Sequence, residues 1–160
     1  EQSVLTPAEV SNLCIERGTL NPEERRVINR HIDITIEMLE SLPFPKHLRN
    51  VPEYAGGHHE KMDGTGYPRG LKKEQMSVQA RIMAIADIFE ALTASDRPYK
   101  KAKTLSESLR ILGFMAKEQH IDADLFRIFV EQKVYLTFAH EFLAAEQIDE
   151  VDHSAIPGLS

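Results

Sequence analysis

The amino-acid sequence predicts an all-α domain, and three observations support that fold class. Apolar residues recur at helical spacing, start signals for helices precede the apolar segments, and no run shows the two-residue alternation of a β-strand. The 160 residues fit one domain of ordinary size, and a hydrophobic fraction of 42% is enough to fill a core. We therefore expect a helical bundle.

The first helices are predicted from their start and stop signals. A short helix is bracketed by Thr6-Pro7 and Gly18, and the next begins at Asn21-Pro22 and ends before Pro43. A kinked linker follows, and a helical stretch from about Pro52 leads to two adjacent histidines. These signals predict that the histidines are delivered by a helix.

Later helices carry stronger caps. Ser77 starts an apolar helix, Thr104 begins a capping box, Asp122 caps a third helix, and a terminal helical stretch spans about 135–143. Four methionines are expected to fill the core, namely Met38, Met76, Met83 and Met115.

The chain is expected to divide into three parts. Residues 1–19 form an N-terminal helical segment, residues 20–146 carry the functional portion, and residues 147–160 form a flexible tail.

Composition excludes several classes of protein. The formal net charge of −6 argues against a sequence-independent binder of duplex DNA, which would need a broad basic face. The single cysteine, Cys14, excludes an internal disulfide and a cysteine-based zinc site, and is typical of a reducing compartment such as the cytoplasm. No apolar run approaches the roughly 20 residues that span a bilayer.

Residues 58–68 are the most informative segment. His58 and His59 run directly into an acidic turn that contains Gly64 and Gly66 and closes with Tyr67-Pro68. Imidazole nitrogens and carboxylate oxygens are donors that first-row metals prefer, and glycines let a loop approach a ligand closely. This composition favours a metal-dependent site for phosphate chemistry. Adjacent histidines on a helix point about 100° apart, so they serve different ions or one supports the other, unless they form a plain surface pair.

Other candidate residues lie at a distance in the sequence. Asp87 stands in an apolar helix, where a buried carboxylate is costly unless it is paired or metal-bound; the alternative is a solvated face shared with Glu90. His31 lies on a helix flank, where a histidine without a functional role is also common. Arg97 and Lys100 could clamp a phosphodiester, or form an exposed basic turn.

Taken together, these residues resemble the HD-GYP family, the subset of HD-superfamily phosphohydrolases that act on cyclic di-GMP. The pattern His-His-Glu-x-x-Asp-Gly-x-Gly-Tyr-Pro is complete at 58–68. It is followed by Gly70-Leu71, by Arg81-Ile82 leading to Asp87, and by Arg97-Pro98-Tyr99. The similarity extends from about residue 20 to about residue 143.

The resemblance implies an all-helical bacterial signalling hydrolase that binds two or three iron or manganese-type ions and converts cyclic di-GMP to linear pGpG and GMP. Bridging ions would lower the pKa of a shared water and neutralise phosphate charge. Metal ligands are implied at His31, His58, His59 and Asp87, with the last three at the reacting centre. Substrate contacts are implied at Glu90, Arg97 and Lys100, and in the loop at Asp63, Gly64, Gly66, Tyr67 and Pro68.

One departure from the family pattern limits this expectation. The sequence contains no His-Asp dipeptide, and the family carries that dyad and further ligands on upstream helices. We therefore expect the C-terminal portion of a longer regulator, a bundle incomplete at its N-terminal side that alone binds metal weakly and hydrolyses little. Two alternatives stay open: an HD phosphohydrolase for another nucleotide, and a non-catalytic module that binds GGDEF-type cyclase domains. Oligomerisation is also left open.

Overall fold

The computed structural model describes Thr6, residues 22–95 and residues 102–159. Within these residues the chain forms six α-helices and no β-strand, so the predicted all-α fold is confirmed. None of the described helices combines the length and apolar character needed to cross a lipid bilayer. The helices are α1 (Pro22–Glu40), α2 (Val51–Gly56), α3 (Val78–Thr93), α4 (Leu105–Lys117), α5 (Ala123–Glu131) and α6 (Val134–Phe142).

The predicted caps of three helices are confirmed. The Ser77 side chain accepts from the Ala80 amide at the start of α3, and Thr104 and Glu107 form a reciprocal capping box at the start of α4. Asp122 accepts from two amides in the first turn of α5. These side chains satisfy N–H groups that have no partner within the helix. The short helix predicted between Thr6-Pro7 and Gly18 lies largely outside the described residues.

The principal core lies among α3, α4, α5 and α6. Its largest fully buried apolar side chains come from α4, α5 and the turn between them: Leu105, Leu109, Leu112, Ile121, Phe126 and Val130. Burial of this apolar surface is the main source of stability for these helices.

The segment after Ile148 belongs to the same core, so the expectation of a flexible tail is wrong. Ile156 is only 4% exposed, and the Asp149 carboxylate accepts a hydrogen bond from the Ser106 amide at 2.9 Å. Gly113 on α4 permits this packing, because a Cβ atom there would lie 2.4 Å from the Pro157 carbonyl oxygen. The docking site for the tail is thus a helix more than thirty residues away.

Two glycines place α2 close to both of its neighbours. A Cβ atom on Gly56 would lie 2.8 Å from Cδ1 of Ile36 on α1, and one on Gly57 would lie 2.8 Å from Cβ of Ala80 on α3. Glycine in a helix costs roughly 1 kcal/mol, and close helix approach explains its presence here. The residues that follow α2 are therefore placed beside α1 and α3.

The prediction that methionines fill the core holds only in part. Met76 is buried and Met115 packs against the principal core, but Met38 is 58% exposed and Met83 is 39% exposed. Helical spacing indicates which residues share a face, and it does not indicate what covers that face.

Candidate metal centre

The two adjacent histidines lie in the turn after α2, and not on a helix as expected. α2 ends at Gly56, and the imidazole centroids of His58 and His59 are 4.2 Å apart with 39° between their planes. Because the turn releases the backbone from helical geometry, the two rings lie side by side, where helical neighbours would diverge by about 100°.

Side chains from three separate parts of the sequence meet at this turn. The metal-binding atoms of His58, His59 and Asp87 all lie within 4.8 Å of one another. Nε2 of His31, on α1, lies 3.2 Å from Nε2 of His59. The turn after α2 and helix α3 therefore supply a group of three donors, and helix α1 places His31 against one of them, His59.

Asp87 is exposed, so the expectation of a buried carboxylate is wrong. It shares the exposed side of α3 with Glu90, as the alternative interpretation required. That same side of the helix faces the imidazoles, however, and places Asp87 within the donor group. Asp87 is thus exposed to solvent and also lies close to the two imidazoles.

Backbone carbonyl groups orient two of the imidazoles. Nδ1 of His31 lies 2.5 Å from the Ile28 carbonyl oxygen, and Nδ1 of His58 lies 2.6 Å from the Ala55 carbonyl oxygen. A carbonyl oxygen can only accept, so each Nδ1 carries the proton and donates. This arrangement leaves Nε2 of each ring with a free lone pair, as is usual for histidines that bind metals.

His59 is held in its neutral form. Partial burial, together with the neighbouring His58 and His31, lowers the pKa of His59 to about 4, although the nearby Asp87 carboxylate acts in the opposite direction. The Tyr67 ring stacks on the His59 imidazole with 4.9 Å between centroids and 18° between planes. Neutral imidazole is the form that binds a cation, so this environment suits a ligand.

The donor set fits a divalent first-row metal. With metal–nitrogen bonds of about 2.0–2.1 Å, two histidine ligands of one ion stand about 3.0–3.4 Å apart. The separation of 3.2 Å between the Nε2 atoms of His31 and His59 lies within that range. Three imidazoles and one carboxylate suit iron, manganese and zinc alike, so the donors alone do not select one metal.

The loop that follows the histidines is shaped by its own contacts. Gly64 has a φ of +83°, and a Cβ atom on Gly66 would lie 2.3 Å from the Lys61 nitrogen. The Asp63 carboxylate accepts from the amide and the hydroxyl of Thr65, both at 2.8 Å. These hydrogen bonds from Thr65 lower the pKa of Asp63. Asp63, predicted to contact substrate, therefore has a clear role in closing the turn.

The end of this loop is held by a residue to which the sequence assigned no role. The buried Glu60 carboxylate accepts from the Arg69 amide at 2.7 Å and from the Leu71 amide at 2.9 Å. The Tyr67-Pro68 peptide bond, directly before Arg69, is cis. The position of Glu60 directly after His59 was the available signal for this role.

A buried ion-pair network that joins α3 to the start of α5 was also missed. The Asp122 side chain is 1% exposed and contacts both Lys73, at 3.1 Å, and Arg81. Burial raises the pKa of Asp122, but the hydrogen bonds from Lys73 and Arg81 outweigh it and hold the pKa below its ordinary value. Arg81 was noted in the sequence pattern only as a position, without this structural role.

The remaining predicted site residues lie on or beyond α3. Glu90 lines an open groove of about 600 Å³ together with Asp87 and the apolar side chains of Phe89 and Phe138. Arg97 and Lys100 lie outside the described residues. The predicted basic clamp therefore stays a prediction.

The fold and the donor group define a helical domain with a candidate metal centre. The chain belongs to the HD domain family, whose sequence profile matches residues 3–125. Its complete 58–68 pattern is that of the HD-GYP subset. The match begins well before residue 20, so the family region extends further towards the N-terminus than the resemblance indicated.

The chain is also similar to bacterial phosphodiesterases. It is 47% identical over 114 residues to a cyclic di-GMP phosphodiesterase of Pseudomonas aeruginosa, with 71% of this chain and 26% of that protein covered. It is 41% identical over 105 residues to 3'3'-cGAMP-specific phosphodiesterase 3 of Vibrio cholerae, with 64% and 22% covered. A cyclic di-GMP phosphodiesterase of Thermotoga maritima is 40% identical over 98 residues, with 61% and 26% covered. The chain spans about a quarter of the length of these relatives.

Proposed function

We propose that this chain is part of a metal-dependent phosphodiesterase that hydrolyses cyclic di-GMP to linear pGpG and GMP in bacterial signalling. The observation that carries the proposal is the convergence of His58, His59 and Asp87, with His31 at 3.2 Å from His59. The names of the similar proteins agree with this reaction class. The whole reaction belongs to the complete protein, because the chain spans only part of those relatives.

The residue roles follow from the donor chemistry. His31, His58, His59 and Asp87 would hold iron or manganese, two or three ions in a complete domain. A bound divalent ion lowers the pKa of water and neutralises charge on a phosphate group. The hydrogen bonds from Nδ1 of His31 and His58 leave the Nε2 atom of each ring free to bind a cation, and the environment of His59 keeps that ring neutral.

Substrate would be held by residues around this centre. Arg97 and Lys100 would bind the phosphate group that is not being cleaved, because a guanidinium fork and an ammonium group both match phosphate oxygens. Glu90 and the Tyr67-Pro68 side of the loop would border the nucleotide. Positioning of the scissile phosphodiester would then account for much of the rate enhancement.

A direct assay tests the reaction. This chain, and the longest natural polypeptide that contains it, would be loaded anaerobically with Fe²⁺ or with Mn²⁺ and incubated with cyclic di-GMP. We expect chelator-sensitive release of pGpG or GMP by the longer polypeptide and weak turnover by the chain alone. Absence of turnover in the longer polypeptide, despite bound metal, would contradict the proposal.

A second candidate substrate is 3'3'-cGAMP. Three of the similar Vibrio cholerae proteins are named 3'3'-cGAMP-specific phosphodiesterases, at 41%, 37% and 33% identity. The two substrates differ in one nucleobase, so the same metal centre could serve either. A competition assay with equal amounts of both cyclic dinucleotides distinguishes them by the ratio of kcat/KM values.

We further propose a cytoplasmic location and an interaction with GGDEF-type cyclase domains through the Gly-Tyr-Pro surface. The single cysteine supports the location, and the exposure of Gly70 and Arg69 at the end of the loop supports an accessible surface. A pull-down with a GGDEF domain that persists in chelator would favour a binding role independent of catalysis. Loss of the interaction after Arg69→Glu, with metal content unchanged, would assign it to the loop.

A further inference from the structure

Glu60 is a buried carboxylate whose position metal binding does not explain. Its side chain is 1% exposed, although it directly follows His59. Among the described residues, the group whose atoms can share an ion contains His58, His59 and Asp87 but not Glu60. A buried carboxylate must be compensated by close polar partners, so its contacts indicate what it does.

Both carboxylate oxygens of Glu60 bind the backbone of the far end of the loop. One oxygen accepts from the Arg69 amide at 2.7 Å, and the other accepts from the Leu71 amide at 2.9 Å. Hydrogen bonds to an ionised acceptor are about twice as strong as neutral ones. The side chain therefore fixes residues 69–71 on the backbone next to the histidine pair.

Two further contacts bring the same loop onto the histidine backbone. The Tyr67 amide donates to the His59 carbonyl oxygen at 3.3 Å. Gly66 lies so close that a Cβ atom would stand 2.5 Å from the Glu60 Cα atom. Tyr67 thereby stacks its ring on the His59 imidazole at 4.9 Å. The loop is thus attached on both sides of Tyr67.

We propose that Glu60 is a positioning residue: its carboxylate pins residues 69–71, and the pinned loop holds the Tyr67 ring against the His59 imidazole. Glu60 acts through these two residues and does not touch the reacting atoms. The consequence for turnover rests on the proposed phosphodiesterase function, whereas the consequence for the loop does not. Both can be measured separately.

Glu60→Gln is the informative substitution. Glutamine keeps the volume but offers one acceptor oxygen and one NH₂ group, so one of the two amides at Arg69 and Leu71 meets a donor. Glu74→Gln is the matched control, because it removes the same charge from an exposed glutamate close in sequence to the loop.

Nuclear magnetic resonance can measure both the contact between the two rings and the hydrogen exchange of the loop amides. In the wild-type chain we expect cross-relaxation between the rings of Tyr67 and His59 and slow hydrogen exchange at the Arg69 and Leu71 amides. Glu60→Gln should abolish the ring contact and speed exchange of at least one of these amides about tenfold. Unchanged ring contact and exchange in Glu60→Gln would overturn the proposal, as would an equal effect of Glu74→Gln.

A second variant keeps the test decisive if Glu60→Gln folds poorly. Tyr67→Leu removes the stacked ring but leaves the Glu60 carboxylate in place. Slow exchange at Arg69 and Leu71 should persist in this variant, because the carboxylate and not the ring holds them. If hydrogen exchange at these two amides in Tyr67→Leu were as fast as in an unstructured loop, the tyrosine ring would be the group that holds the segment. That result would overturn the assignment to Glu60.

Turnover tests the consequence for the site. Where the wild-type protein hydrolyses a cyclic dinucleotide, Glu60→Gln should lower kcat about 10–100-fold, the range typical of residues that orient a metal ligand, with a smaller change in KM. The effect should largely disappear in a Tyr67→Leu background, because both changes act on the same contact. Additive effects would overturn the coupling. A wild-type protein without turnover counts against the proposed function alone, since the amide and ring measurements still decide the role of Glu60.

Discussion

The core of α4, α5 and α6 differs from the region of α1 and α2 in how its geometry is fixed. In the core, apolar side chains such as Leu109 and Phe126 are completely buried. On α1, Val27 is 66% exposed, Ile34 is 56% exposed and Met38 is 58% exposed, although their spacing places them in one stripe. Apolar burial is therefore more extensive in the first region, although Ile32 and Ile36 on α1 are also buried.

The candidate metal centre lies where this second region meets α3. Its geometry depends on a few specific contacts. These are the close approach of Gly56 to Ile36, the hydrogen bonds from histidine rings to backbone carbonyl groups, and the hydrogen bonds from loop amides to the Glu60 carboxylate. The comparison shows that stability and site geometry are carried by largely separate sets of residues. Substitutions in one region should therefore spare the property that belongs to the other.

The largest loss of stability is expected from the core. Phe126→Ala should lower the free energy of unfolding by about 3–5 kcal/mol, because it removes a fully buried ring and leaves a cavity. Urea denaturation measures this loss. Ile128→Ala, on the same helix but 53% exposed, is the control and should cost less than about 1 kcal/mol. Similar losses for both variants would show that the core is not packed as described.

The Asp122 network should produce the next largest effect. Asp122→Asn should cost about 3 kcal/mol near neutral pH, because Arg81 and Lys73 lose the charge of a buried partner. The depressed pKa of Asp122 means that this stabilisation is fully present above the ordinary aspartate pKa and is lost as pH falls through the lower folded-state value.

Urea titrations at a series of pH values test the direction in which the stabilisation by Asp122 changes with pH. The difference in stability between wild type and Asp122→Asn should be constant near neutrality and shrink below about pH 4. Asp124→Asn is a suitable control, because that carboxylate also contacts Lys73 but is 68% exposed. A difference that grows with acidity would contradict the proposed protonation behaviour.

Asp87→Ala should affect the metal centre and leave stability unchanged. Removal of a ligand should lower Mn²⁺ affinity by more than the roughly 10–100-fold that loss of an orienting contact costs. Because Asp87 is exposed, the metal-free chain should keep its unfolding free energy within about 0.5 kcal/mol. Isothermal titration calorimetry measures the Mn²⁺ affinity, and urea denaturation measures the free energy of unfolding. Unchanged Mn²⁺ affinity would remove Asp87 from the ligand set.

The smallest effect is expected where the C-terminal segment meets α4. Gly113→Ala should place a methyl group against the Pro157 carbonyl oxygen, and the gain in helix propensity should offset part of that clash. A net loss of about 1 kcal/mol and faster hydrogen exchange at the Ile156 amide are expected. Unaltered exchange at Ile156 would mean that the segment does not depend on this close approach.

Helix positions were largely predictable because their signals are local. The caps at Ser77, Thr104 and Asp122 lie in the sequence next to the helices that they start, and all three are confirmed. The complete pattern at 58–68 also indicated the family, and the profile match confirms that the chain belongs to the HD domain family. The conformation of the histidine turn was not predictable, because it depends on how Gly56 and Gly57 pack against other helices.

The sequence by itself determined the helical class, the helix starts and the residue types that can bind a metal, since each depends on neighbouring residues or on side-chain chemistry. Tertiary structure decided that Asp87 is exposed yet faces the imidazoles, that Glu60 holds the loop, and that the segment around Ile156 is packed. Each of these depends on a partner that lies far away in the chain or on which surface is covered. Local sequence carries no direct record of such partners, because they meet only when the helices pack.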